Sequence, residues 1–290
     1  MTAHIVTLPE GETCPAKAYL MHTCGISATL WKRIKHSGTF AVNGAPAIAA
    51  QTMLRAGDMV SYDLPVISSV VPEPLPLSIV YEDDDLLILD KPARQLVHPT
   101  TKEAHGTVAN AVRGLYAARG TALNFHPCHR LDRNTTGLLL IAKHPEAQHR
   151  IAKQGSLKRE YLALIEGTLS PEKGTIDAPI ARALPSIMLR HVAPDGKPAR
   201  THYQTEQTNG RYSLLRLRLE TGRTHQIRVH LAHLGHPLLG DDLYGGAKEL
   251  IARQALHSAR LTLCHPRTQR VILALSPLPM DMKEAISCFM

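Results

Sequence analysis

His129-Arg130-Leu131-Asp132-Arg133-Asn134-Thr135-Thr136-Gly137, followed at once by Leu138-Leu139-Leu140-Ile141-Ala142-Lys143, is the stretch on which the reading of this chain turns. A dense polar segment runs directly into a short, uninterrupted apolar one. Apolar runs of about four to eight residues bounded by turn residues suit a strand buried on both faces. Polar side chains massed at its mouth mark a site. If residues 130–132 are extended, Arg130 and Asp132 share one face while Leu131 points the other way. An aspartate with arginines on both sides in sequence is expected to stay ionised, because nearby positive charge favours the carboxylate. It then suits a nucleophile or electrostatic stabiliser better than a general acid. The competing reading is local: Asp132 merely anchors a turn through Thr135 or Thr136.

Further along, Glu220-Thr221-Gly222-Arg223-Thr224-His225-Gln226-Ile227-Arg228-Val229-His230 forms a second cluster. Residues 224–234 show a helical pattern, with Ile227, Leu231 and Leu234 inward and Gly235 closing it. Thr224 is the expected N-cap, which puts Gly222 and Arg223 at the mouth of a helix whose dipole favours anions such as phosphate. His225 and Arg228, three apart, then share a face, so one cation reaches a carboxylate elsewhere. The bland alternative is a solvated basic helix face.

Outward from these clusters, turns and short strands dominate. Strands are expected at 79–81, 86–89, 159–166 and 212–219, the last alternating Leu215, Leu217 and Leu219 with Arg216 and Arg218. Helices are expected at 107–119 and 145–154. This mixture predicts an α+β fold with a mostly antiparallel sheet, running from residue 77 to 290. Before it, Pro65, Pro72, Pro74 and Pro76 mark a Pro-rich linker, placed at 67–76. Residues 1–66 read as a separate small unit. Ser27 caps a helix with Leu30, Trp31 and Ile34 on one face and Lys32, Arg33 and Lys35 on the other. A strand at 39–42, an Asn43-Gly44 turn and a strand at 59–64 follow.

The whole chain has 290 residues, 44% of them hydrophobic and 20% charged, which excludes disordered, collagenous and disulfide-scaffold classes. Its apolar runs fall far short of a membrane span and residues 1–10 show no signal-peptide pattern, so the cytoplasm is the expected location. Cys14, Cys24, Cys128, Cys264 and Cys288 show no paired spacing and read as reduced thiols. With 33 Lys+Arg against 25 Asp+Glu, the net charge of +8 points to a polyanionic partner, RNA first. His230, His233 and His236 with Asp241 and Asp242 invite a metal reading, but Gly235 ends the helix before His236 and no base is supplied as in zinc hydrolases. Tyr161, in Lys158-Arg159-Glu160-Tyr161, offers a phenol to stack on a base or move a proton.

Taken together, these residues closely resemble the RluA-type pseudouridine synthase family across about residues 77–275. The most specific pieces are His129-Arg130-Leu131-Asp132 with Thr136-Gly137-Leu138-Leu139, and Gly222 to His230 with Gly235-His236-Pro237 and Gly240-Asp241. Asp90-Lys91-Pro92, His98-Pro99, Lys158-Arg159-Glu160-Tyr161 and Gly196-Lys197-Pro198-Ala199 support it in the family's order. The resemblance implies that uridine in RNA is detached at its glycosidic bond, turned, and rejoined through carbon five, with no metal or organic cofactor. It makes Asp132 the catalytic carboxylate, by attack on the sugar or by assisting glycal formation. Arg228 becomes its basic partner, and Tyr161 stacks on the base and helps remove the carbon-five proton. Arg130 fills the space left by the flipped uridine, as base flipping requires. His129, Arg133, Thr136, Gly222, Arg223, His225 and Gln226 join Arg130 as substrate-binding candidates.

Residues 1–66 are similar, more weakly, to the S-four-type RNA-binding domain, with Lys32, Arg33 and Lys35 as phosphate contacts. The stretch Cys14-Pro15-Ala16-Lys17-Ala18-Tyr19-Leu20 lacks that domain's usual Arg-Leu-Asp opening. Large-subunit ribosomal RNA is the expected substrate and transfer RNA the runner-up. A non-catalytic RNA-binding assembly factor and a metal-dependent hydrolase built on His230, His233 and Asp241 are the competitors from other classes. Nothing in the sequence requires a membrane, an obligate protein partner or more than a monomer.

Overall fold

In the computed structural model, which describes residues 2–65, 69–183 and 188–288, the run after Gly137 is the strand Thr136–Ala142. It is buried along its whole length. Leu139 and Ile141 enter one core with Leu87, Leu89, Val112, Tyr161, Leu215, Leu217 and Ile227. Leu138 and Leu140 enter another, with Leu86, Ile88, Ile151, Leu261 and Leu263. Two covered faces explain why the sequence is uniformly apolar here instead of alternating.

This strand lies inside a ten-stranded sheet. From one edge the order is Lys173–Asp177, Arg200–Thr208, Tyr212–Leu219, Lys158–Glu166, Leu256–Cys264, Thr136–Ala142, Leu86–Lys91 and Ile79–Glu82. Val271–Leu275 pairs with Leu256–Cys264, and His126–Pro127 with Thr136–Ala142. The pairings are antiparallel except one. Thr136–Ala142 meets Leu256–Cys264 in parallel, with Thr136 opposite His257 and Gly137 opposite Ser258. Gly137 has φ +101°, and a Cβ there would lie 2.3 Å from the Ser258 carbonyl oxygen, so only glycine permits this approach. The register shifts beside Tyr161 where Lys158–Glu166 pairs with Leu256–Cys264. Such irregularities re-aim side chains next to sites.

Helices Val108–Ala118 and Gln226–His233 cover the first core, and Pro145–Gln154 the second. Thr107 caps the first of these through a capping box with Asn110, and Pro145 opens the third. The α+β expectation with a mostly antiparallel sheet therefore holds.

Residues 2–65 pack around their own core of Leu20, Ile26, Leu30, Trp31, Ile34, Leu54 and Val60. The helix Ala28–Ser37 starts at Ser27, whose Oγ accepts the Leu30 N–H at 3.0 Å. A sheet in the order Thr2–Ile5, Met59–Asp63, Thr39–Val42, Ala45–Pro46 supports it. The boundary expected between residues 66 and 67 lies outside the described residues, as do the first two residues of the linker. The described Pro-rich segment, 69–77, has no helix or strand but is docked: Asn110 donates to the Val71 carbonyl at 2.9 Å, and the Glu73 carboxylate accepts the Gly106 N–H. The first unit touches the sheet domain through Tyr62 Oη, 2.9 Å from Glu146, and through the Cys24 carbonyl, which accepts from Arg150 Nε at 2.8 Å.

Candidate active site

Asp132 follows buried Leu131 and carries its carboxylate at the edge of an open pocket with 25% of the side chain exposed. Arg130, Asp132, Thr135, Tyr161, Leu219, Arg223, His225, Gln226, Ile227 and Arg228 line it. The Asp132 carbonyl, and not its carboxylate, closes the following turn by accepting the Thr135 N–H at 3.1 Å. That removes the turn-anchor reading. The carboxylate instead accepts from Arg228 Nη1 at 3.3 Å, bridging 96 residues of sequence.

Arg228 is aimed by a second acid. Its Nε and Nη2 grip Asp241 at 2.7 and 2.8 Å, and its guanidinium carbon lies 5.0 Å from the centre of the Tyr244 ring. With one edge of the planar fork taken by a fully buried carboxylate, Nη1 is left for Asp132. Burial disfavours the arginine's charge, but Asp241 and Asp132 outweigh it and raise its pKa further. Asp241 thus works as an orienting carboxylate. The sequence offers it as a possible metal ligand and, in Gly240-Asp241, as part of the family resemblance, with no role as an orienter; its signal is Gly240, whose φ of +71° and close approach to the Arg253 carbonyl set the turn that delivers it.

Thr224 is not the helix cap. Gln226–His233 is capped by His225, in the left-handed region at φ 58° and without a side-chain cap bond. The loop is closed by Gln226, whose Oε1 accepts the Arg223 N–H and the Thr221 hydroxyl at 2.9 and 2.8 Å. His225 therefore precedes the helix instead of sharing a face with Arg228. Its Nδ1 meets the Tyr244 hydroxyl at 2.9 Å and its Nε2 stands 3.9 Å from Asp132 Oδ1. Burial lowers its pKa against the pull of Asp132, so the ring is neutral at pH 7.

Tyr161 is buried in the pocket wall, where burial pushes its phenol up. It is protonated at neutral pH. Arg130 is exposed at the rim and has no ion pair among the described residues. Arg223 sits at the lip, donating from Nε to the Pro198 carbonyl, and Gly222 lies beside it.

Several expected substrate contacts are placed elsewhere. His129 is buried, its Nε2 accepting the Leu140 N–H at 3.1 Å, and burial drives its pKa down to about 3. Thr136 is buried with its hydroxyl 2.9 Å from His257 Nδ1. Arg133 is exposed outside the pocket and pairs with Glu103. These three belong to the scaffold of the loop. Gln226 is buried in the wall, its Nε2 donating to the Arg200 carbonyl and the Thr201 hydroxyl. Lys32, Arg33 and Lys35 lie on the first unit, outside this pocket; Arg33 lines a cleft shared with His126, His149 and Arg159.

Three residues of the metal reading are otherwise engaged. His230 bonds Thr201 and the Ala178 carbonyl, His236 bonds the Glu166 carbonyl, and Asp241 holds Arg228. Among the described residues no group of three His, Cys, Asp or Glu side chains is arranged to hold a metal ion.

Residues 85–233 match the family described as RNA pseudouridylate synthase. The uncharacterized RNA pseudouridine synthase YjbO of Bacillus subtilis is 40% identical over 269 residues, 90% of this chain and 95% of that one. Ribosomal large subunit pseudouridine synthase D of Pasteurella multocida is 44% identical over 232 residues, 74% of this chain and 71% of its own. Human RNA pseudouridylate synthase domain containing 1 shares the fold with a TM-score of 0.58 at 26% identity, covering 71% of this chain and 84% of that structure. This chain belongs to the RNA pseudouridine synthases, isomerases of uridine in RNA.

Proposed function

We propose that this enzyme converts uridine to pseudouridine in large-subunit ribosomal RNA, with Asp132 as its catalytic carboxylate. The observation that carries this reading is the carboxylate itself: it stands in an open pocket, unused by its own turn and oriented by an arginine whose other edge is fixed on Asp241. Relatives named ribosomal large subunit pseudouridine synthase D in several bacteria support the substrate class and a cytoplasmic location. None of the helices among the described residues is long and apolar enough to cross a membrane.

On this reading the uridine leaves its stack and enters the pocket while Arg130 occupies the gap. The bond from C1′ to N1 breaks, the base turns, C1′ joins carbon five, and the proton lost there is balanced by one gained at N1. Asp132 faces the ribose and meets charge developing at C1′; Arg228 keeps it aimed. Tyr161 supplies the stacking wall, and as a protonated phenol it assists removal of the carbon-five proton only after giving up its own. Residues 1–66 form an S-four-like unit joined through 67–76 to the catalytic domain 77–290, and Lys32, Arg33 and Lys35 contact phosphates.

Tritium release from RNA labelled at uridine carbon five tests this. The full-length enzyme should release label from large-subunit ribosomal RNA, and Asp132→Asn should release at least about a thousandfold less. Release from transfer RNA instead would move the substrate class. An active Asp132→Asn enzyme would remove Asp132 from the mechanism.

A further inference from the structure

The residues that follow Asp132 are gripped from behind by side chains that do not line the pocket. Lys91 Nζ donates to the Arg133 carbonyl at 2.9 Å, and Arg253 Nη1 to the Asn134 carbonyl at 3.0 Å. Gln254 Nε2 donates to the Thr135 hydroxyl at 3.4 Å, and His257 Nδ1 pairs with the Thr136 hydroxyl at 2.9 Å. Three of these four grips come from the short segment 253–257, which meets the loop across 119 to 121 residues of sequence.

Arg253 is the pivot. It is buried, and its Nε and Nη2 grip the two oxygens of Asp281 at 2.6 and 2.8 Å. Asp281 stands in the first turn of the final helix, Met280–Ser287. With that edge fixed, Nη1 is directed at the carbonyls of Asn134, Gln254 and Leu256. The arrangement repeats that of Arg228, one edge on an orienting carboxylate and the remaining nitrogen delivered to the loop. Arg228 delivers it to the Asp132 side chain, and Arg253 to the backbone two residues on.

We infer that Arg253, aimed by Asp281, is a positioning residue that sets the Asp132 carboxylate by holding the Asn134 carbonyl. The inference rests on the reading of Asp132 as catalytic. Its physical basis is short: the Thr135 N–H that closes the turn on the Asp132 carbonyl belongs to the same peptide unit as the Asn134 carbonyl. Releasing that carbonyl frees the unit to rotate, and the turn beneath Asp132 moves with it. A displacement of about 1 Å in a reacting group costs up to about a hundredfold in rate. Neither Arg253 nor Asp281 lines the pocket, so their loss should act on kcat more than on KM.

The test is steady-state pseudouridine formation by full-length Arg253→Met, Arg253→Lys and Asp281→Asn, each with its thermal unfolding curve. Arg253→Met should lower kcat about a hundredfold with KM within about twofold. Arg253→Lys should recover about tenfold of that, since an ammonium still reaches a carbonyl, and Asp281→Asn should cost about fivefold. A purely structural bond would lower the unfolding temperature and leave kcat per folded molecule at the wild-type value; that result overturns the inference, as does a KM rise at unchanged kcat. Should Arg253→Met not fold, Asp281→Asn decides, because that carboxylate is 44% exposed and its loss is tolerable; an unchanged kcat there is equally fatal. Failure of the underlying reading looks different: an active Asp132→Asn removes Asp132 itself, whereas an inert Asp132→Asn beside a normal Arg253→Met removes Arg253 alone.

Discussion

The cations around Asp132 and those on the basic helix of the first unit are alike in chemistry and opposite in physics. Arg228 and Arg253 are 6 and 7% exposed and tied to carboxylates and carbonyls, while Lys91, 1% exposed and donating to three carbonyls, has its pKa pushed down to about 7 by burial. Lys32 and Lys35 are exposed, Arg33 is half-buried, and none of the three has an ion pair among the described residues. Burying a charge is tolerable only where partners replace its water, so the first group is fixed in place and little affected by salt. The second group is more open to solvent and chemically suited to phosphates, where attraction falls as salt rises. The net charge of +8 therefore says nothing about the site and much about the approach to it.

Arg228 gives the comparison its hardest test. Arg228→Ala should lower kcat by about a hundred- to a thousandfold, leaving buried Asp241 without its cation and Asp132 without its orienter. Arg228→Lys should recover little, since an ammonium cannot offer two parallel N–H groups to Asp241 and a third to Asp132. Both deficits should be the same at low and high salt. Kinetics that show the loss in KM, or a loss that vanishes with salt, would put Arg228 with the surface cations and dissolve the distinction.

What was legible in the sequence follows the same division. The run 138–142 announces its strand, Ser27 its helix cap, and residues 145–154 their helix, because propensity and periodicity are local. Asp132, Tyr161 and Arg228 were picked out, and the fold brings them to one pocket. Polar density could not say which way each neighbour faces. His129 and Thr136 sit in the same motif as Asp132 yet turn inward to Leu140 and His257, since a parallel strand pairing at Gly137 puts Leu256–Cys264 against that end of the loop. Arg253, Gln254 and His257 carry no sequence signal: their partners in the loop are single atoms 119 to 121 residues away, and such contacts leave no period. Thr224 has the residue type of a cap, but the helix begins one residue later, with His225 in the left-handed region at the cap position, a backbone turn that residue type does not announce.

The basic helix supplies the next largest effect. Replacing Lys32, Arg33 and Lys35 together by alanine should raise KM about tenfold at low salt and leave kcat within about twofold. The slope of log KM against log salt should flatten by about 2, three contacts at about 0.7 each for single strands. A changed kcat would mean that the unit acts on the chemistry; an unchanged KM would reduce it to a scaffold.

The smallest effect belongs at the junction of the two regions, where the division itself is least sharp. His4 of the first unit stacks near Tyr62 and lies 3.4 Å from Glu146 of the sheet domain, which also takes Arg150. Burial works against charge on His4, but the Cys24 thiol and the Glu146 carboxylate beside it outweigh that and raise the pKa from 6.5 to about 9. A base held above its unfolded value stabilises fully below pH 6.5 and progressively less as pH rises toward 9. Between those limits the junction should lose about 1 to 2 kcal/mol, discounted for partial solvent screening. Urea unfolding of the wild type at pH 6 and pH 9 should register that loss, and His4→Gln should flatten it while leaving Asp132 chemistry at its wild-type rate. Equal pH slopes in the two proteins would mean that His4 is neutral in the fold and that packing around Tyr62, not charge, joins the basic unit to the site.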